Sequence, residues 1–167
     1  MKYINIDRKR DRRNNPIKVV FDNNVMISAL LWIGVPHKLL VMAKKGEISL
    51  AMSFDMLAEL EEVLGREKFQ HKIKALNTTV KELMIGIELI VKIYMVVEKI
   101  EGICSDIDDD MFFECAIASN SKYILSGDVH LLSIGSFRNI QIMRPRDFYD
   151  NILNGNGIGD WELRRKD

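Results

Sequence analysis

Cysteine is nearly absent from this chain of 167 residues. Cys104 and Cys115 stand eleven positions apart, with no CxxC spacing and no histidine cluster beside them, so there is no disulfide framework, and both read as reduced, partly buried thiols. Histidine is scarce too. His37, His71 and His130 share no ligand spacing and read as surface or packing residues rather than catalytic ones. No apolar run approaches the roughly 20 residues that a spanning helix needs. The start is charged and polar, without the apolar stretch of a secretory leader. These absences predict a soluble, cytoplasmic protein with no membrane partner.

Net charge is also missing, since 24 basic and 24 acidic groups cancel. Their distribution is uneven: residues 1–18 hold seven basic groups against two acidic ones, leaving 17 basic and 22 acidic, a net of −5, in the remainder. A basic arm on an acidic body suits phosphates or an acidic partner, and reads equally as a solvated tail. The length and the 47% hydrophobic content suit one compact domain. The expected division is a basic N-terminal arm over 1–16, a domain over 17–153 and a C-terminal tail over 154–167. In that tail Gly155-Asn-Gly-Ile-Gly159 has the wrong spacing for a dinucleotide loop.

Within the body, short β-branched runs alternate with helical stretches, as in a parallel α/β sheet. Strands are expected at Ile17–Phe21, Ile48–Met52, Met95–Val97, Tyr123–Leu125 and Ile140–Met143. Helices are expected over Val25–Leu31 and Pro36–Lys45, after the Ser53 cap, from a cap at 77–79 to about Val91, from Asp108–Asp110 to about Ser119, and over Asp147–Leu153.

Four acidic residues stand out by position. Asp22 follows the first strand, Asp128 follows the fourth, Asp109 opens the helix feeding the fourth, and Glu59 lies on the helix after the second. Open parallel sheets bind ligands beyond the carboxyl ends of strands, near a topological switch point. Carboxylates gathered there resist ionisation unless a divalent cation supplies the compensating charge. Oxygen ligands favour Mg²⁺ or Mn²⁺. Singly, Asp22 reads as a turn former and Asn24 as a helix cap; the combination points to metal-dependent phosphodiester hydrolysis.

The same residues carry a family resemblance. Val-Val-Phe-Asp22-Asn-Asn24-Val-Met-Ile-Ser28 resembles the opening of PIN-domain nucleases. Ser53-Phe-Asp-Met-Leu-Ala-Glu59 resembles their second acidic helix, Asp106-Ile-Asp-Asp109-Asp-Met-Phe-Phe-Glu-Cys-Ala116 their third motif, and Tyr123-Ile-Leu-Ser126-Gly-Asp128 their fourth. Each motif is weak alone, and four in register are strong. The resemblance implies a three-layer, doubly wound α/β sandwich with a central five-stranded, mainly parallel sheet, and a ribonuclease using Mg²⁺ or Mn²⁺. Asp22, Glu59, Asp109 and Asp128 match the metal-binding and catalytic acids. Asn24 matches a supporting asparagine, Ser126 a hydroxyl position, and Asp106 is an accessory acid. Crowding over 106–110 leaves the third carboxylate open; Asp109 is favoured because Phe112, Phe113 and Ala116 then take the family's apolar positions. Asp108 and Asp110 read as a solvated cap.

By the same resemblance, the partners are an RNA substrate and, if the protein is the toxin of a type II toxin–antitoxin pair, a cognate antitoxin; the apolar helix over Leu83–Val91 independently offers a face for a second copy. Phosphates are expected on the arm, Lys122, Arg144 and Arg146. The competing readings are an RNA-processing nuclease outside any such pair, a catalytically silent PIN module that binds RNA or protein, and a receiver domain. The receiver reading is weak, because Glu98 and Lys99 stand where its phosphoacceptor would follow the third strand.

Overall fold

The computed structural model describes residues 15–154. The basic arm up to Asn14 and the tail from Gly155 lie outside the described residues.

Strand β1 (Ile17–Phe21) ends at Asp22, whose carboxylate caps α1 (Asn23–Leu31) by accepting from the Val25 N–H at 2.7 Å. Helix α2 (Val35–Lys44) starts with Pro36 in its first turn, and Gly46, at φ +74°, turns the chain into β2 (Ile48–Ser53). Ser53 closes β2 and caps α3 (Phe54–Leu64), buried through Met56, Leu57, Leu60 and Leu64. Helix α4 (Glu67–Ala75) follows, an element the sequence reading did not anticipate. Then α5 (Val80–Ile90) begins with a capping box between Thr79 and Glu82.

Strand β3 is Lys92–Tyr94, not the expected Met95–Val97. The reason lies in its neighbour: Ala51, Met52 and Ser53 pair with Lys92, Ile93 and Tyr94, and β2 ends at Ser53, so Met95–Val97 run past the last residue that could pair with them. A 3₁₀ turn (Ile107–Asp109) leads into α6 (Asp110–Ser119), then β4 (Tyr123–Leu125) and α7 (Val129–Ile134). Strands β5 (Ser136–Phe137) and β6 (Ile140–Met143) form a hairpin turned by Arg138 and Asn139, both at positive φ. A short α8 (Pro145–Asp147) runs on as π-helix through Phe148–Leu153.

The sheet has the order β3-β2-β1-β4-β6-β5, parallel throughout except for β5 against β6. It therefore has six strands where five were expected, the extra one being the two-residue β5. Strand β2 is buried at every position and β1 over its last three, so helices cover both faces, as a parallel sheet requires. The chain winds outward one way from β1 through β2 to β3 and the other way through β4 to β6. The switch point lies between β1 and β4, where Val19, Val20 and Phe21 pair with Tyr123, Ile124 and Leu125. Phe113 of α6 and Phe137 of the edge strand β5 meet edge to face at 5.7 Å. Among the described residues no single helix is long and apolar enough to cross a membrane.

Candidate active site

All four of the singled-out carboxylates line one cleft of about 180 Å³ at the carboxyl end of the switch point. Asp22 extends the β1–β4 pairing by one residue, and Ser126 extends the β4–β6 pairing by one. The Asp22 N–H donates to the Leu125 carbonyl at 3.0 Å, and the Ser126 N–H to that of Met143 at 3.1 Å. The Ser126 hydroxyl, fully buried, donates to the Asp22 carboxylate and accepts from the Asp128 N–H at 2.9 Å. One hydroxyl thus fixes two of the acids. Asp128 caps α7 through the His130 N–H at 2.8 Å. Glu59 enters from the second turn of α3, and Asp109 from the junction of the 3₁₀ turn with α6.

The supporting amide is Asn23 rather than Asn24. The Asn23 Nδ2 donates to the Glu59 Oε2 at 2.6 Å and reaches the Met56 carbonyl at 3.3 Å. Asn23 is buried, whereas Asn24 is exposed at the rim of the cleft. Helical phase explains the exchange, because the first residue of α1 faces α3 and the second faces outward. Asp106 stands outside the cleft, its carboxylate capping the 3₁₀ turn through the Asp108 N–H, in a recess shared with Asp109, Asp128 and His130.

The electrostatics are those of crowded like charges. Burial raises the Asp22 carboxyl, the Ser126 and Val25 hydrogen bonds oppose that rise, and the Asp128 charge adds to it. Asp109 is pushed up to about 6, first by burial and then by Asp106, Asp128, Asp22 and Glu59. Acids from four separate segments therefore act on one another.

A PIN domain family model matches residues 18–130. That match spans more than half of the chain and includes Asp22, Glu59, Asp109 and Asp128. The chain belongs to the PIN domain family. Members of this family are generally divalent-metal-dependent nucleases. A chain of the VapBC2 complex from Rickettsia felis, bound to a DNA fragment from their promoter, superposes with a TM-score of 0.52 at 15% identity, covering 77% of this chain and 98% of that one. No curated protein matches.

The donor set of this PIN domain fits a hard divalent ion. The four acids of the cleft offer only carboxylate oxygens to an ion, and the buried Asn23 Oδ1 beside them has no hydrogen-bond partner, an atom that a cation-bound water can satisfy. Among the described residues no three acidic, histidine or cysteine side chains form a ready-made cage. The four carboxylates share a field rather than a coordination sphere. Mg²⁺, which keeps most of its waters, needs only one or two direct carboxylates.

Two other acids of α6 have a different task. Asp110 is 2% exposed, which corrects its reading as a solvated cap. Its carboxylate accepts from the Gly102 N–H at 2.9 Å and the Cys104 N–H at 2.8 Å. One turn on, buried Glu114 accepts from the Ile100 N–H at 3.0 Å and from the Lys99 Nζ at 3.1 Å, and Lys99 also donates to Asp55 at 3.0 Å. Together they fasten the loop between β3 and the 3₁₀ turn onto α6. Only their i, i+4 spacing hinted at a shared face. Both thiols are pushed up to about 12 by burial, Cys104 also by Asp110, which leaves them unreactive.

The basic side chains differ from expectation as well. Lys122 precedes β4 and so lies at the opposite end of the sheet from the cleft. The cations lining the cleft are Arg66 and Lys68, from the α3–α4 junction that sequence reasoning missed. Arg144 and Arg146 line a neighbouring groove.

Proposed function

We propose that this PIN domain is a metal-dependent endoribonuclease that hydrolyses RNA phosphodiester bonds with Mg²⁺ or Mn²⁺. The observation that carries the reading is the gathering of the four carboxylates in one cleft, where burial first and then the neighbouring acids raise Asp109 to about 6. A bound divalent ion would supply a water of lowered pKa and charge stabilisation at the phosphorus. Asp22, Glu59, Asp109 and Asp128 would hold that ion. Ser126 and Asn23 position the carboxylates they touch, and Asp106 adds negative charge from outside. Val63, Phe112 and Leu131 supply the apolar part of the cleft wall, and Arg66 and Lys68 offer charge to the substrate phosphates. The test is cleavage of an end-labelled, unstructured RNA with Mg²⁺, Mn²⁺ or chelator. Cutting that needs metal and disappears in Asp109→Asn supports the reading; no cutting of several RNAs by folded wild type refutes it.

A toxin role, with a cognate antitoxin as partner in the cytoplasm, draws support from the shared fold of the Rickettsia felis VapBC2 chain. Growth arrest on expression, relieved by the product of an adjacent reading frame, tests it. A second copy is a further proposed partner, through the exposed Ile85 and Leu89 of α5. The rival, a PIN module that binds without turnover, draws on the lack of a ready-made three-ligand cage among the described residues. It expects RNA or protein binding that is indifferent to divalent ions.

A further inference from the structure

Beside the carboxylate cleft lies a second depression of about 440 Å³, bounded by α1, the start of α2 and the start of α8. Its floor is apolar, from Val25, Val35, Pro36 and Pro145, with Ser28 as a polar spot. It adjoins the cleft. Asn24 lines both, and Gly127, on the groove wall, lies between Ser126 and Asp128. A Cβ at Gly127 would meet nothing within 4 Å, so the space over it is open. Arg144 and Arg146 are exposed at the rim, and among the described residues neither has an ion-pair partner.

We propose that this groove is a subsite for one unpaired nucleobase of a single-stranded substrate, flanking the phosphodiester in the cleft, with the adjoining phosphate on Arg144 and Arg146. The proposal rests on the nuclease reading. Three features select this occupant. The groove adjoins the cleft through Asn24, so it lies within reach of a base next to a phosphodiester held there. Proline rings and guanidinium planes are flat surfaces on which any base can stack. Among the described residues the charges lining the groove are all positive, and they face a site of opposite sign across Asn24, so a strand would pass from Arg66 and Lys68, over the carboxylates, to Arg144 and Arg146. An apolar segment of a protein partner would not need that arrangement of cations on both sides of the acids.

The test is binding of a fluorescein-labelled single-stranded RNA hexamer, unmodified or abasic at each position in turn, with Ca²⁺ replacing Mg²⁺. Wild type is expected to lose about tenfold or more in affinity at one abasic position and little at the others. Ser28→Trp, which fills the groove, should bind the unmodified hexamer as weakly as wild type binds that abasic one, with no added loss on combining the two. Val35→Phe fills the groove from the other wall and serves if Ser28→Trp misfolds by circular dichroism. Arg144→Ala with Arg146→Ala should weaken every hexamer and flatten the salt dependence. Binding by wild type that ignores every abasic site, or groove-filled variants that bind as wild type, would overturn the subsite and leave the groove to a protein segment; failure of wild type to bind would overturn it too. A hexamer that binds in this pattern yet stays intact with Mg²⁺ and Mn²⁺ would sink the nuclease reading alone. One that is cut without regard to abasic position would sink the subsite alone.

Discussion

The Asn23 amide holds the Glu59 carboxylate across 2.6 Å, from the first residue of α1 to the second turn of α3. This is a charge-assisted bond from a buried donor to the acid that α3 contributes, and it fixes which way that acid faces. Asn23→Asp would set a fifth carboxylate against Glu59. The expected outcome is at least a tenfold rise in the Mn²⁺ concentration needed for half-maximal cleavage, with folding intact by circular dichroism. An unchanged metal titration would show that Glu59 does not contribute to ion binding.

Asp110 and Glu114 differ from the cleft acids because their partners are already present. Each accepts two hydrogen bonds, and each is nearly excluded from water. Asp110→Ala would leave the Gly102 and Cys104 N–H groups without their acceptor, a loss of about 2–4 kcal/mol of unfolding free energy. Urea denaturation at pH 7 reads this directly. A loss below about 0.5 kcal/mol, the scale of an ordinary surface change, would mean that solvent replaces the carboxylate and that the loop is not fastened.

The sheet was legible where hydrophobic period and caps agreed. Strands β1 and β2 and the Ser53 and Thr79 caps fall where the sequence put them, because each is a local signal reinforced by burial. Strand β3 was misplaced, since the β-branched run over 90–97 is long enough for several registers and only the end of β2 at Ser53 selects one. The β5–β6 hairpin was invisible because Arg138-Asn139 lacks the glycine that usually marks two successive positive φ values. That the four acids meet in one cleft was legible from strand ends and motif order. Asn23 and Asn24 could not be separated without the phase of α1, and Arg66 and Lys68 depend on α4, whose short polar sequence carries little apolar signal.

Arg66 and Lys68 form the cleft's basic edge, and both are exposed. The Glu62 partner of Arg66 sits at 3.6 Å with both side chains largely in water, a pair worth little. These cations are therefore available to phosphates. Reversing both, Arg66→Glu with Lys68→Glu, should raise KM about tenfold or more and reduce the salt dependence of kcat/KM, with kcat altered less than threefold. A fall in kcat with KM unchanged would place them at the reacting phosphorus instead.

The raised Asp109 carboxyl makes a stability prediction whose sign is fixed. It titrates near 6 in the folded chain against 3.8 ordinarily, so the folded state binds this proton more tightly than the unfolded one. The associated stability is present below about pH 3.8 and is lost as pH rises through about 6. Asp109 makes no side-chain cap bond to α6, so Asp109→Asn removes the repulsion without removing a hydrogen bond. In chelator at pH 8 the variant should melt at a higher temperature than wild type, and the gap should close at pH 4. Added Mn²⁺ should raise the Tm of wild type more than that of the variant, because the ion neutralises the charge that the substitution has already deleted. Thermal melts of both proteins at the two pH values, with and without Mn²⁺, decide the matter; a variant less stable than wild type at pH 8 in chelator would mean that Asp109 holds the fold together rather than waiting for a cation.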